Sequence, residues 1–289
     1  MNIIIPNLSI PILHDIAQCL ESVRQRLDIN LFFWNPQQKS IIDVFDETHP
    51  DLIFLHESQL DEAFKYLSTE SQLRYIVVAT TKLPPDLPKA PELVITYSQF
   101  VNLFTELHTL TIQPLTRIPQ IHNAQYDQNI ESDILINTTG VTINQTIYHV
   151  MLYLSNYYKT KIIGDARVEL HHYMGAVTMI EKANFIKSTK LLIDIGSADA
   201  WNAAYLKVPP LSIYDLDPNI LHFTSIPTLK HHTETLLNNK MVRTKYIDEC
   251  YKLATNDKTS YHFTYAIFNH IKAHDIANDL LTYLRELTT

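Results

Sequence analysis

Two short stretches of this sequence have the residue types and spacing to hold a phosphate. In Asp194-Ile-Gly-Ser-Ala-Asp199 an apolar run ends in a carboxylate, glycine and serine follow, and a helical pattern begins. Asn137-Thr-Thr-Gly140 repeats the arrangement earlier in the chain. The first amides of a helix have no partner inside it and the macrodipole there favours negative charge, so a loop of small residues ahead of a helix can cradle a diphosphate. Thr139, Gly140, Gly196, Ser197 and Asp199 are the candidates, with the Ser197 hydroxyl as a further donor. Taken singly, each stretch also fits an ordinary strand-to-helix turn, because glycine and serine are common turn residues. Glycine is informative here: the chain has four, Gly140, Gly164, Gly175 and Gly196, all between residues 140 and 196. A chain this sparing of glycine marks the points where backbone turns with positive φ or approaches another group closely.

Acid–base chemistry has a different set of candidates. His56 and Glu57 directly follow the apolar run that starts at Asp51, which places a proton acceptor at the end of a strand. His14 and Asp15 come next but fall inside a helical pattern. Arg167, just past the strand that leads to Gly164, can meet a phosphate or pair with Glu169, and Arg243 and Lys245 rank after it. The pairs His171-His172 and His231-His232 invite a metal reading, yet adjacent side chains point in different directions and neither pair has an HExxH or His-x-His companion. Asp215-Leu-Asp217, lying just before Pro218, fits a loop with a helix cap. Walker A, GxGxxG and Gly-x-Ser-x-Gly patterns are all missing, which argues against P-loop hydrolysis, classical dinucleotide oxidoreduction and α/β-hydrolase chemistry.

These residues need a frame to hold them. The chain has 289 residues, 46% of them hydrophobic and 19% charged, enough for two ordinary domains with packed cores. Apolar runs at Asn2 to Pro6, Asn30 to Trp34, Asp51 to His56, Tyr75 to Ala79 and Glu92 to Tyr97 read as strands of a parallel sheet covered on both faces. Ile12, Ile16, Leu20, Val23 and Leu27 recur at helical spacing between the first two, and a helix is expected from about Phe100 to Leu110. Periodicity is lost from Gln113 to Ser132, the expected linker. A second series follows: strands at Asp133 to Asn137, Lys161 to Ile163, Lys190 to Ile195 and Leu211 to Tyr214, with helices between them. One of these helices opens at the Thr178/Glu181 capping box, and Ser260 to Leu287 is mainly helical. The expected fold class is α/β, two Rossmann-like domains with mainly parallel sheets facing across a cleft: residues 1–112, a linker over 113–132, and 133–289 with the final helices packing back.

Charge and segment pattern narrow the partners. A formal net charge of −8 gives no global pull toward nucleic acid, so DNA is not favoured as a partner, although a local basic groove is compatible with that total. The two cysteines, Cys19 and Cys250, have no metal or redox spacing and suit a reducing compartment. Neither a signal-peptide pattern nor a run of 18 apolar residues occurs, and a cytoplasmic location is expected.

Tyr173-Met-Gly-Ala-Val177, a helix, Lys190-Leu-Leu-Ile-Asp-Ile-Gly-Ser197 and then Asn202-Ala-Ala-Tyr-Leu-Lys-Val-Pro209 together resemble the carboxyl-terminal half of GT-B glycosyltransferases. The resemblance covers roughly residues 133 to 215 by motif order and the first half by architecture alone. It implies a nucleotide-sugar donor, with the backbone from Tyr173 through Gly175 to Val177 facing the base, Gly196 and Ser197 at the diphosphate and Gly140 opposite. Asn202 stands where the family often has a ribose-binding glutamate, and Lys207 where it has a glycine, so donor contacts differ here. No cofactor and no obligatory metal are implied, and His56 or Glu57 would serve an acceptor, whether glycan, lipid-linked sugar, protein or modified DNA base. The rival readings are a non-catalytic binding or scaffold protein of this architecture, and a nucleotide-sugar epimerase built on it.

Overall fold

The computed structural model describes residues 1–7, 10–70, 72–113, 115–165, 168–196 and 199–288. Two compact units emerge from it, Met1–Gln113 with Ser260–Thr289, and Pro114–Thr259.

The first unit is built on a six-stranded, all-parallel sheet in the order β2-β1-β3-β4-β5-β6. Its strands are β1 (Asn2–Pro6), β2 (Asn30–Trp34), β3 (Leu52–His56), β4 (Arg74–Val78), β5 (Leu93–Tyr97) and β6 (Thr109–Ile112). Because successive side chains of a strand alternate in direction, the continuous apolar runs supply both faces. Ile4, Ile53, Leu55, Tyr75 and Val77 share one core with residues of α2 (Ile41–Thr48) and α3 (Leu60–Thr69). On β1, Ile3 and Ile5 are also buried, and α1 (Pro11–Val23) packs against that strand with Leu13, Ile16 and Leu20 inside. Pro11 opens α1, where a missing N–H costs nothing. Ser40 caps α2 by accepting from the Asp43 amide.

The last helices, α10 (Ser260–His270) and α11 (His274–Thr288), pack on α1 and so belong to this unit. Their apolar stripes, Tyr261, Phe268, Ile276 and Leu280 among them, are buried there. Tyr261 lies within hydrogen-bonding distance of Ser22, and Arg26 donates twice to the Glu286 carboxylate. Thus the segment 260–289, assigned from sequence to the second domain, lies with the first, and the expected linker holds the short helix α4 (Ile118–Ile121) inside the second unit. The expected helix over Phe100 to Leu110 is also replaced. A 3-10 stretch covers Ser98–Phe104, and β6 then pairs with β5. The open edge of β5 offers a ladder to Thr109-Leu-Thr-Ile112, three of whose residues are β-branched, and that pairing outweighs local helical periodicity.

The second unit has four parallel strands in the order β10-β9-β7-β8. They are β7 (Ser132–Asn137), β8 (Thr160–Ile163), β9 (Thr189–Asp194) and β10 (Pro210–Ser212). Helices α5 (Gln145–Tyr157), α6 (Met179–Lys187) and α7 (Ala200–Tyr205) connect them, and α8 (Ile226–Asn238) and α9 (Lys240–Asn256) follow. The Thr178/Glu181 capping box forms as expected and starts α6. Beyond β8 the chain from His172 to Gly175 bonds to that strand's edge, with Ile162 donating to His172 and receiving from Met174.

Candidate functional site

In an open parallel sheet, ligands bind outside the carboxyl ends of the strands where strand order reverses. In the second unit the chain passes from β7 outward to β8 on one side and to β9 and β10 on the other, so the reversal lies between β7 and β9. Asn137 and Asp194 close those strands and stand opposite each other in the ladder. Both phosphate-type stretches of the sequence therefore meet at one place.

The loops around this point are shaped by glycine. Gly164 has φ +124°, and a Cβ there would lie 2.5 Å from both Thr138 Oγ1 and the Thr139 amide nitrogen. This contact brings the loop after β8 against the loop after β7. Gly196, at φ +129°, lies beneath the Tyr214 ring, with 3.2 Å between a Cβ and Cε2. Gly140 and Gly175 also have positive φ, but a Cβ on either would meet nothing within 4 Å. Tyr173 donates its hydroxyl proton to the Gly164 carbonyl, and the Gly164 amide donates to Gly175, so the Tyr173–Val177 segment is tied to the same loop.

The loop amides are engaged by side chains of the loops themselves. Asn137 Oδ1 accepts from the amide and hydroxyl of Thr139, and Asp194 accepts from the amides of Gly196 and Ala200. Asp165 Oδ1 lies 2.9 Å from the Gly140 amide, so a carboxylate occupies the anion position of that turn. Below them sits a buried polar cluster that joins Asp199 and Asn202, both sequence candidates, to Asn137 and to Lys182, which no motif singled out. Asp199 receives hydrogen bonds from Asn137 Nδ2 and Asn202 Nδ2 and pairs with the Lys182 ammonium at 3.0 Å. Asn202, proposed from the family pattern for a ribose, is buried, and its Oδ1 accepts from the Arg117 backbone amide. Arg167 and Ser197 lie outside the described residues. The Asp215/Asp217 stretch forms a turn in which Asp217 accepts from Asn219.

The first unit has its own reversal, between β1 and β3, and His56 closes β3 there. Its Nδ1 lies 2.8 Å from Ser58 Oγ, and His56 caps the 3-10 turn Glu57–Gln59. Glu57 is occupied differently: its carboxylate accepts from the amides and hydroxyls of both Thr80 and Thr81, beyond the end of β4. Partial burial works against its ionisation, but these four donors outweigh it and hold the carboxyl below its usual range. A carboxylate so stabilised is a clamp between two loops and a poor base. Because the folded form holds the lowered value, its contribution is complete above the unfolded carboxyl range and fades as pH falls through the folded one. Glu57→Gln is therefore expected to cost about 1 kcal/mol near neutral pH after allowance for solvent screening. In urea titrations the difference from the parent protein should shrink in acid, and a gap independent of pH would contradict the clamp.

Among the described residues no three His, Cys, Asp or Glu side chains are grouped to hold a metal, and no helix is long and apolar enough to cross a membrane. His231 and His232 have ring centroids 5.6 Å apart.

No family model and no curated protein matches the sequence. Solved structures match it over nearly their whole length. UDP-GlcNAc 2-epimerase from Neisseria meningitidis bound to UDP-GlcNAc is 10% identical, with 94% of this chain and 100% of that chain covered and a TM-score of 0.57. MnaA from S. aureus, solved with UDP, is 12% identical over 94% and 96%, with a TM-score of 0.59. Sucrose-phosphate synthase from Thermosynechococcus elongatus is 7% identical over 96% and 100%, with a TM-score of 0.60. At such identities the likeness is one of fold. The chain has a GT-B-like fold with two all-parallel α/β units, as the resemblance in its second half implied.

Proposed function

We propose that the second unit binds a nucleotide diphosphate sugar at the reversal between β7 and β9 and that the protein transfers the sugar to an acceptor. The observation that carries this reading is the meeting of the Asn137–Gly140, Gly164–Asp165 and Asp194–Gly196 loops at the one place where such a sheet takes a ligand. Support also comes from solved neighbours of the same fold whose names specify UDP, UDP-GlcNAc or sugar-phosphate synthesis. Gly140 and Gly175 leave open space beside the backbone, as a ligand lying along those loops requires. In this reading His56, with Nε2 unpartnered among the described residues, is the acceptor-side base, and Glu57 holds its loop in place. Epimerisation of the same donor is a second reading, favoured by the full-length match to an epimerase that carries UDP-GlcNAc.

Isothermal titration with UDP and UDP-GlcNAc tests the site. Gly140→Leu projects a side chain into open space and should weaken binding at least about tenfold while costing the fold only about 1 kcal/mol. Asp165→Ala frees the Gly140 amide and removes a competing negative charge, so it should tighten diphosphate binding about fivefold. No heat with either ligand, or no response to either substitution, defeats the assignment. NMR of UDP-GlcNAc incubated without acceptor separates the two readings: a C2-inverted sugar nucleotide supports epimerisation, and an unchanged donor consumed only when an acceptor is added supports transfer.

A further inference from the structure

The corner between α8 and α9 sets exposed apolar side chains beside exposed cations. From Thr235 to Ile247 there is no acidic residue, while Lys240, Arg243 and Lys245 supply three cations in a protein of formal net charge −8. Asn238, Asn239, Lys240, Met241 and Val242 are all exposed. Met241 is 79% exposed and Val242 39%, so the apolar groups of the corner stand in solvent. Neither is a product of disorder in the turn. Asn239 caps α9 by accepting from the Val242 amide, and Tyr246 in the next turn is buried and donates to the Pro210 carbonyl. Of the flanking acids, Glu234 pairs with Lys230 and Glu249 with Lys245, each at 3.8 Å, and Asp248 lies one turn further along α9 than Thr244. Among the described residues Lys240 and Arg243 have no acidic partner.

From this we infer that the α8–α9 corner docks reversibly on an anionic lipid surface, with Met241 and Val242 entering the headgroup region and Lys240 and Arg243 meeting the lipid phosphates. Cations alone would suit any polyanion. The exposed methionine beside them is what a lipid surface rewards, because an apolar side chain lowers its free energy by leaving water for the acyl boundary. The surrounding charge is attracted to anionic headgroups within a Debye length, while the acidic remainder of the protein is repelled, so the same field that binds the corner also orients it. The contact is small, and the expected binding is weak and reversible. This inference stands independently of the nucleotide site.

Flotation of the full chain with phosphatidylcholine vesicles, with and without phosphatidylglycerol, is the test. Binding is expected only with phosphatidylglycerol and should be lost at high salt. Lys240→Ser and Arg243→Ser should each lower the partition coefficient about fivefold. Met241→Asp should abolish binding without shifting the melting temperature, and Met241→Trp should strengthen it, since tryptophan favours the membrane interface. Equal binding to both vesicle types, or no binding to either, overturns the inference. So does tight binding to heparin or DNA with no response to Met241→Asp or Met241→Trp, which would identify a soluble polyanion as the partner.

Discussion

Gly164→Ala is expected to destabilise the protein by about 3–5 kcal/mol, far more than the same change at Gly140 or Gly175. Two independent penalties meet at this residue. At φ +124° an L side chain is strained whatever the space around it, and the added carbon would also lie 2.5 Å from the Thr139 nitrogen and 2.5 Å from Thr138 Oγ1. Thr139 N is backbone, held by its bond to Asn137 Oδ1, and Thr138 Oγ1 donates to the Ile163 carbonyl, so neither atom can step aside cheaply. Gly140→Ala and Gly175→Ala meet no such wall, and each should cost only about 1 kcal/mol from the positive φ. Urea unfolding of the three variants measures the contrast directly. Equal effects at Gly164 and Gly140 would mean that the two loops are not packed as described, and with them the shape of the proposed site would fall.

That contrast also shows what a sequence can and cannot reveal here. Ile3-Ile4-Ile5, Leu52 to Leu55, Ile134 to Ile136 and Leu191 to Ile193 are strands buried on both faces, and an unbroken apolar run is a local signal for such a strand. The scarcity of glycine likewise pointed to the loops around the β7/β9 reversal, and all four glycines have positive φ. What stayed hidden depends on partners distant in the chain. Thr109–Ile112 is a strand because β5 leaves an edge for it, and α10 and α11 return to α1 because that helix has a stripe to cover. Glu57 is recognisable as a clamp only once Thr80 and Thr81 are known to lie beside it. The Asp165 contact with Gly140 spans 25 positions, and no motif relates those residues.

The ion pair beneath the site is the second place where a large effect is expected, and it decides what Lys182 is for. Lys182 and Asp199 have side chains 12% and 2% exposed, and the carboxylate is completed by the amides of Asn137 and Asn202. Removing one member of such a pair strands the other charge in a poorly solvated place. Lys182→Met and Asp199→Leu should each destabilise by about 3 kcal/mol. The double variant should cost no more than either single change, because two apolar groups need no compensation, so a double-mutant cycle should give a coupling of at least about 3 kcal/mol. A lysine this close to the reversal point would otherwise be an obvious partner for a diphosphate, and the cycle discriminates. If its charge is committed to Asp199, the double variant keeps the parent affinity for UDP once folding is restored, and the pair is a fastener that holds the starts of α6 and α7 to the end of β7. If the ammonium swings to the ligand, stability recovers in the double variant while UDP affinity does not, and the small additive cost of Lys182→Met alone would already betray a weak bond to Asp199. The geometry favours the fastener: three donors converge on one buried carboxylate, and moving the ammonium away would leave that charge with amide donors alone.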